Sequence, residues 1–209
     1  MWIGKLMFRF FKNIFNAIVI VLVISGIHSL YANHFFDDVI GNCSNFFKQQ
    51  TEKTVEKVGD FSHINEEYHV DTAVNVFGYK AVLAEHNATS QRLIVLDSGK
   101  KQLLTPKDIK GDGVEEKLEN LSQKFKYQNS NISDIQITKR GKMYAYGKEI
   151  PYVRFNAKVT KLPISDITGT IGILNDKPKE QRLLISVNEK NRYSQLITDE
   201  FYKNVKESK

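Results

Sequence analysis

The chain is poor in the residues that make chemistry easy to recognise. Cys43 is its one cysteine, which excludes an intramolecular disulfide and a multi-cysteine metal site. No G-x-S-x-G elbow is present, and Cys43 is far in sequence from every histidine outside the apolar N-terminal region, so no nucleophile has a visible base. Phosphate-cradling loops are missing as well. Gly169-Thr-Ile-Gly172 lies inside a strand-like run, where glycines mark a bulge or close packing. Carboxylate pairs such as Asp199-Glu200 have no pocket to place them and read as surface charge. The expectation is a non-enzymatic protein with no catalytic residue, no resident cofactor and no metal.

Two polar clusters test that expectation. Counted from Asp108, the segment Asp108-Ile-Lys-Gly-Asp112-Gly113 with Glu119 matches a calcium loop at its first, fifth, sixth and twelfth positions. Lys110 puts a cation where the third-position ligand belongs, and Lys117 crowds the tenth, so the ligand set is broken. His63, Glu66, Glu67 and His69 are close in sequence. Histidines six apart do not share a helical face and lack the H-E-x-x-H spacing of zincins, so a solvated surface cluster is expected.

Charge of one sign is also scarce. The formal net charge is +6, and Lys5, Arg9 and Lys12 supply half of it. The remainder reads as a modest excess spread over interleaved Lys, Asp and Glu, without a stripe of Arg and aromatics, which argues against nucleic acid. Apolar content of 41% beside 26% charge is that of a folded protein, with room for one domain plus an anchor.

The anchor is the plainest feature. From Asn13 to Phe36 there is no Lys, Arg, Asp or Glu. The apolar run Ile14 to Ala32 would span roughly 28 Å as a helix, enough for the hydrocarbon core. Basic residues precede it and Asp37 and Asp38 follow it, which places the N-terminus in the cytoplasm. Signal cleavage wants small residues at the last and third-last positions; Ala32 fits and Leu30 does not, so an uncleaved anchor is favoured. A lipoprotein signal is rejected because Asn42 precedes Cys43. The Cys43 thiol could join two copies or be an inert small residue.

The expected layout is a cytoplasmic tail (1–12), a transmembrane helix (13–34), a juxtamembrane stalk and connection (35–69) and an extracytoplasmic domain (70–209). That is a single-pass protein of a bacterial inner membrane, with its domain periplasmic or extracellular. Phe35, Phe36, Val39, Ile40, Phe46 and Phe47 fit an amphipathic helix, and the charged second half of the stalk reads as solvent-exposed, ending at Gly59-Asp60.

Within the domain, 73–84 and 91–97 read as strands joined by a turn at Asn87-Ala88-Thr89. Asp112 and Glu115 fit a capping box before a helix whose apolar face carries Val114, Leu118, Leu121 and Phe125. Ile135 and Ile137 alternate with polar neighbours, Arg140-Gly141 turns the chain into 143–146, and Gly147-Lys148-Glu149 turns it into 150–159. Strands at 167–174 and 182–187 follow. A closing helix sets Tyr193, Ile197, Phe201 and Val205 four apart. The order is β-β-α-β-β-β-β-α, an α+β fold with helices packed on an antiparallel sheet.

This layout resembles the PsbP-like domains. The residues that carry the resemblance are Gly78-Tyr79-Lys80-Ala81-Val82-Leu83, Tyr146-Gly147-Lys148-Glu149-Ile150-Pro151-Tyr152, and Leu184-Ile185-Ser186-Val187 before a C-terminal helix. The resemblance covers residues 70–207 and implies an α/β sandwich with a docking or accessory role. It carries over no binding residue.

The functional expectation is therefore a membrane-anchored, extracytoplasmic binding or accessory module whose partners are envelope or membrane proteins. A structural subunit of an envelope secretion or conjugation machine is the alternative. The contact surface is expected on a sheet face free of helices, with Tyr144, Tyr146, Tyr152 and Arg154 as partner-binding residues; the competing reading places those side chains in the core.

Overall fold

Short β-rich runs form the seven strands of the described residues. The run 148–159 alternates polar and apolar side chains, whereas the runs 79–86 and 91–97 are buried almost throughout, as strands covered on both faces are. The computed structural model describes residues 44–76, 79–99, 102–123, 132–159, 166–177 and 180–208. The expected tail, transmembrane helix and Cys43 lie outside these residues. Among the described residues, no helix is long and apolar enough to cross a membrane.

The strands are β1 (Tyr68–Val76), β2 (Tyr79–His86), β3 (Gln91–Asp97), β4 (Ile132–Ala145), β5 (Lys148–Val159), β6 (Asp166–Lys177) and β7 (Glu180–Glu189). They form one sheet in the order β1-β2-β3-β7-β6-β5-β4, and every neighbouring pair is antiparallel. The helices are α1 (Ser44–Val58), α2 (Pro106–Lys110), α3 (Val114–Gln123) and α4 (Gln195–Asn204). The α+β class is thus as the sequence suggests.

Three local expectations are corrected. The run 73–84 is not one strand: β1 ends at Val76, which pairs with Tyr79 at the start of β2. Only Gly78 interrupts the apolar stretch Val76 to Tyr79, and a single glycine also fits inside a strand. Arg140-Gly141 is not a turn, because Arg140 pairs with Val153 and Gly141 with Tyr152 inside the continuous β4. A Cβ on Gly141 would lie 3.0 Å from the Tyr152 ring, so this glycine makes room for an aromatic. The capping box also falls elsewhere. Thr105 caps α2, with Pro106 in its first turn and Asp108 reciprocating.

That cap yields a measurable prediction. The Thr105 hydroxyl accepts from the Asp108 amide at 3.1 Å, and the Asp108 carboxylate accepts from the Thr105 amide at 2.7 Å. Thr105→Ala should cost about 1 kcal/mol, a melting-temperature drop of roughly 2–4 °C in a differential scan. Desolvation raises the Asp108 pKa, but the Lys117 ammonium and the Thr105 bonds outweigh it and hold the carboxyl below its ordinary range. Its contribution is therefore present above that range and lost as pH falls through it.

Helices cover both faces of the sheet. On one face Leu104, Ile109, Val114 and Leu118 pack with Val153, Phe155, Ile171, Ile173 and Leu183. On the other, Val58, Phe61, Phe201, Tyr202 and Val205 pack with Val82, Leu93, Val95, Tyr152 and Leu184. The second half of the stalk is therefore not a free rod. Thr54 and Val58 are buried, and α1 packs on β1 and β2.

The end of α1 is tied to the β4–β5 hairpin and to the C-terminus. Tyr146 and Gly147 form the two-residue turn, with φ of 53° and 72°, the signature of the turn type whose twist suits a hairpin. A tyrosine holds the first left-handed position because its ring is buried. Its hydroxyl donates to Val58 O at 3.0 Å, and the Arg182 guanidinium lies 4.7 Å above its ring. The Asp60–Lys206 bridge closes the same corner.

The two glycines of β6 mark close packing. A Cβ on Gly169 would sit 2.6 Å from the Phe155 ring and 2.7 Å from Ser186 O, whereas one on Gly172 would first meet the Met143 methyl at 2.3 Å. A backbone carbonyl on the next strand cannot retreat as a methionine terminus can. Gly169→Ala should cost about 2 kcal/mol and Gly172→Ala distinctly less, as read by urea denaturation.

Candidate functional site

The four expected partner-binding residues do not share a surface. Tyr144 is 59% exposed and stands on β4, an edge of the sheet. Tyr146 and Tyr152 are buried in the core of the α1/α4 face. Arg154 is half-buried on that same face, with its guanidinium 5.0 Å from the Tyr193 ring centroid. Two of the four thus belong to packing, and the pattern of alternation is the reason. Tyr152 has the polarity of a surface residue but occupies an inward position beside Gly141 and Gly172.

The expected helix-free face shrinks to one quadrant. Tyr152, Arg154, Asn156 and Lys158 alternate along β5 with Val153, Phe155, Ala157 and Val159, which point into the opposite core. Beyond Tyr152 the α1/α4 face turns polar. Arg154 pairs across β4 with Lys139 and across β6 with Thr170, and Asn156 pairs with Gln136 and Thr168. Gln136, Lys139 and Lys158 are exposed. Thr168 donates to the Asn156 side chain at 2.8 Å, and Lys158 reaches Asp134 at 3.1 Å.

The excess cations are not spread as the sequence suggested; they are on this hairpin. The hairpin, Ile132 to Val159, carries six Lys and Arg and two acidic residues, Asp134 and Glu149. That is a net +4 of the chain's +6. Once Lys5, Arg9 and Lys12 are counted, the rest of the sequence is net −1. Lys142 reaches Glu149 at 2.6 Å, and Arg140 reaches Glu115 at 3.9 Å. Lys139 and Arg154 stand opposite each other, an arrangement that is unfavourable unless an anion intervenes.

The histidine cluster rearranges on folding. His63 lies 3.7 Å from Asp60, and His86 lies 3.8 Å from Glu67. His69 reaches Asp71 at 2.7 Å and shares a 2.5 Å hydrogen bond with Asn87 Oδ1. Ligand atoms of His69, Asp71 and Glu85 lie within 4.8 Å of one another, a spacing a divalent cation would accept. Arg92 supplies the cation instead. Its Nη1 is 2.5 Å from Asp71 Oδ2 and also pairs with Glu85. Burial pushes the Asp71 pKa up, and Arg92 and His69 pull it back in part. The arrangement is an ion-pair cluster holding a guanidinium. At the calcium-like loop, the Lys117 ammonium sits 2.6 Å from Asp108 Oδ1, so that carboxylate serves a helix cap.

One polar assembly escaped sequence reasoning. Gln91, Thr170, Ser186 and Thr198 are fully buried under the start of α4. Gln91 Nε2 lies 2.9 Å from Ser186 Oγ, Ser194 O and Thr198 Oγ. Tyr193 joins them through Thr170, at 2.5 Å, and Thr198, at 3.1 Å. Desolvation raises the Tyr193 pKa, against the bonds from Thr170 and Thr198. Among the described residues no basic side chain bonds these hydroxyls, and the network ties α4 and the Tyr193 ring beneath Arg154 to the sheet. The faint signal was a Gln and a Ser at inward positions of apolar strands.

The fold is a seven-stranded antiparallel sheet between two helical layers, and its most distinctive surface is a basic edge hairpin. No family model matches the chain, and the search of curated proteins returns no significant match.

Proposed function

We propose that this protein is a membrane-tethered, extracytoplasmic binding or accessory module of PsbP-like architecture, working on envelope or membrane proteins. The carrying observation is the concentration of cations on an exposed edge hairpin, with Tyr144 standing free beside them. Exposed aromatics and arginines are the residues that anchor interfaces. The apolar run before Ala32 supplies the tether in this reading, and a tether raises the effective concentration of the domain toward other membrane proteins. The docking of α1 on the sheet supports a domain held close to that tether, because the helix nearest to it is part of the fold.

The test is the native size of the chain in gently solubilised membranes, with site-specific crosslinkers at Tyr144 and Gln136. Migration in a larger assembly, with crosslinks to identified membrane proteins, is the expected result. A free monomer without crosslinks overturns the reading. A reporter active only outside the cytoplasm, fused after Lys209, should be active; silence from a stably expressed fusion overturns the orientation.

A further inference from the structure

We propose that the outer edge of β4 receives an extended, acidic segment of a partner protein, which adds to the sheet as an eighth strand beside Lys139–Ala145. This deepens the binding-module reading and rests on it.

Three observations converge on that edge. The first is regularity. β4 has two irregularities in its register, between Ser133 and Gln136 and between Ile137 and Lys139. From Lys139 to Ala145 its pairing with β5 is unbroken, and among the described residues no strand lies beyond it. Bulges at one end and a straight edge at the other leave a defined place for a new strand.

The second is the distribution of charge. Lys139 lies on the α1/α4 face with Arg154, while Arg140 and Lys142 fall on the other face. An anion laid on either face alone would meet only part of this set. An added strand alternates its side chains between the two faces, so a segment with neighbouring carboxylates reaches both. Lysines on an edge strand also discourage unwanted pairing. That bland role does not require Arg154, which is on the inner strand β5 and is held over Tyr193.

The third is that the acids of the hairpin are already committed to other lysines. The hairpin's two acids are engaged elsewhere, Asp134 with Lys158 and Glu149 with Lys142, and 150–159 contains Arg154 and Lys158 but no Asp or Glu. Neither of these acids is placed against Lys139 and Arg154, which stand opposite each other across the two strands. An acidic segment fits better than an anionic bilayer. The quadrant around Arg154 is rimmed by the amides of Gln136 and Asn156 and the hydroxyl of Thr168, and a bilayer laid on this face would not reach Arg140 and Lys142 on the other, as an added strand would.

The experiment uses the full chain in detergent and a labelled peptide of Glu-Glu-Thr repeats. A Gln-Gln-Thr copy, a backbone N-methylated copy and phosphatidylglycerol vesicles serve as comparisons. The acidic peptide is expected to bind with salt-sensitive affinity. Binding should weaken at least about 10-fold in the Lys139→Gln/Arg154→Gln chain, and the N-methylated copy, unable to pair along the edge, should not bind. Without peptide, Lys139→Glu should raise the melting temperature by about 1–2 °C, because it places a carboxylate opposite Arg154.

Peptide binding that ignores these substitutions, or that survives N-methylation, overturns the proposal. So does vesicle binding through Lys139 and Arg154 in the absence of peptide binding, or a melting temperature lowered by Lys139→Glu. A large native assembly that persists unchanged in the Lys139→Gln/Arg154→Gln chain removes this proposal and leaves the broader reading standing.

Discussion

Arg92→Ala should remove about 3–5 kcal/mol of folding stability, the largest loss expected from one charged side chain here. The Arg92 side chain is 7% exposed, and its two carboxylate partners, Glu85 and Asp71, are 16% and 25% exposed. Glu85 stands directly opposite Arg92 in the β2–β3 register. Removing the guanidinium leaves two carboxylates facing each other in a half-dry site. The wild-type cluster need not exceed an apolar core in stability; what costs most is breaking it in half.

The pH dependence gives the sign. Burial already raises the Asp71 pKa, and Arg92 works against that rise. Without Arg92 the folded state holds its proton to higher pH than the unfolded chain does. Stability then falls as pH rises through that window, so the deficit should be larger near about pH 7 than near about pH 5. Urea denaturation at both values checks this. Arg92→Met combined with Asp71→Asn and Glu85→Leu should recover most of the loss. A single Arg92→Ala variant as stable as the parent would show that the cluster is solvated and energetically idle.

The elements that were legible in the sequence share one property: their polar and apolar residues change at the boundary. The turn after His86 sits between two apolar runs, and α4 follows from a repeat of Ile197, Phe201 and Val205. The β1–β2 reversal was invisible because Val76 and Tyr79 are both apolar and the pattern runs through it. Gly141 read as a turn because period and composition cannot tell a glycine that bends the chain from one that admits the Tyr152 ring. The binding residues failed for a related reason. Tyrosine is amphipathic, so Tyr144 at the surface and Tyr152 in the core look alike until the strand register assigns their faces. The charge asymmetry was countable from the start, but it acquires meaning only when β4 and β5 are known to form one hairpin at the edge of the sheet. Conversely, the Arg92 cluster joins His69, Asp71 and Glu85 from two strands, and no spacing within either strand announces it.

Gln91→Ala should cost about 3 kcal/mol and loosen α4 specifically. Gln91 is fully buried, and its Oε1 accepts from the Ser194 amide at 2.8 Å, the residue that caps α4. Its Nε2 has two hydrogens for three acceptors at 2.9 Å, so the network shares them, with Thr198 donating onward to Ser186 at 2.9 Å. Alanine would orphan the Ser194 amide and carbonyl and leave a void, and each orphaned buried group costs about 1–3 kcal/mol. Gln91→Met separates these causes: it fills the space without making the bonds, so a cost near that of alanine assigns the loss to hydrogen bonding. Gln91→Glu should be worse than either, because it buries a carboxylate and removes the donors. Hydrogen exchange localises the effect. If the network chiefly docks α4, its amides should exchange faster by more than the global loss predicts, while β5–β6 amides follow the global change. Tyr193 connects this network to Arg154 through their stacked side chains. Gln91→Ala should therefore also weaken acidic-peptide binding at β4, some distance from the substitution, whereas uniform exchange with unchanged binding would confine Gln91 to the stability of the core.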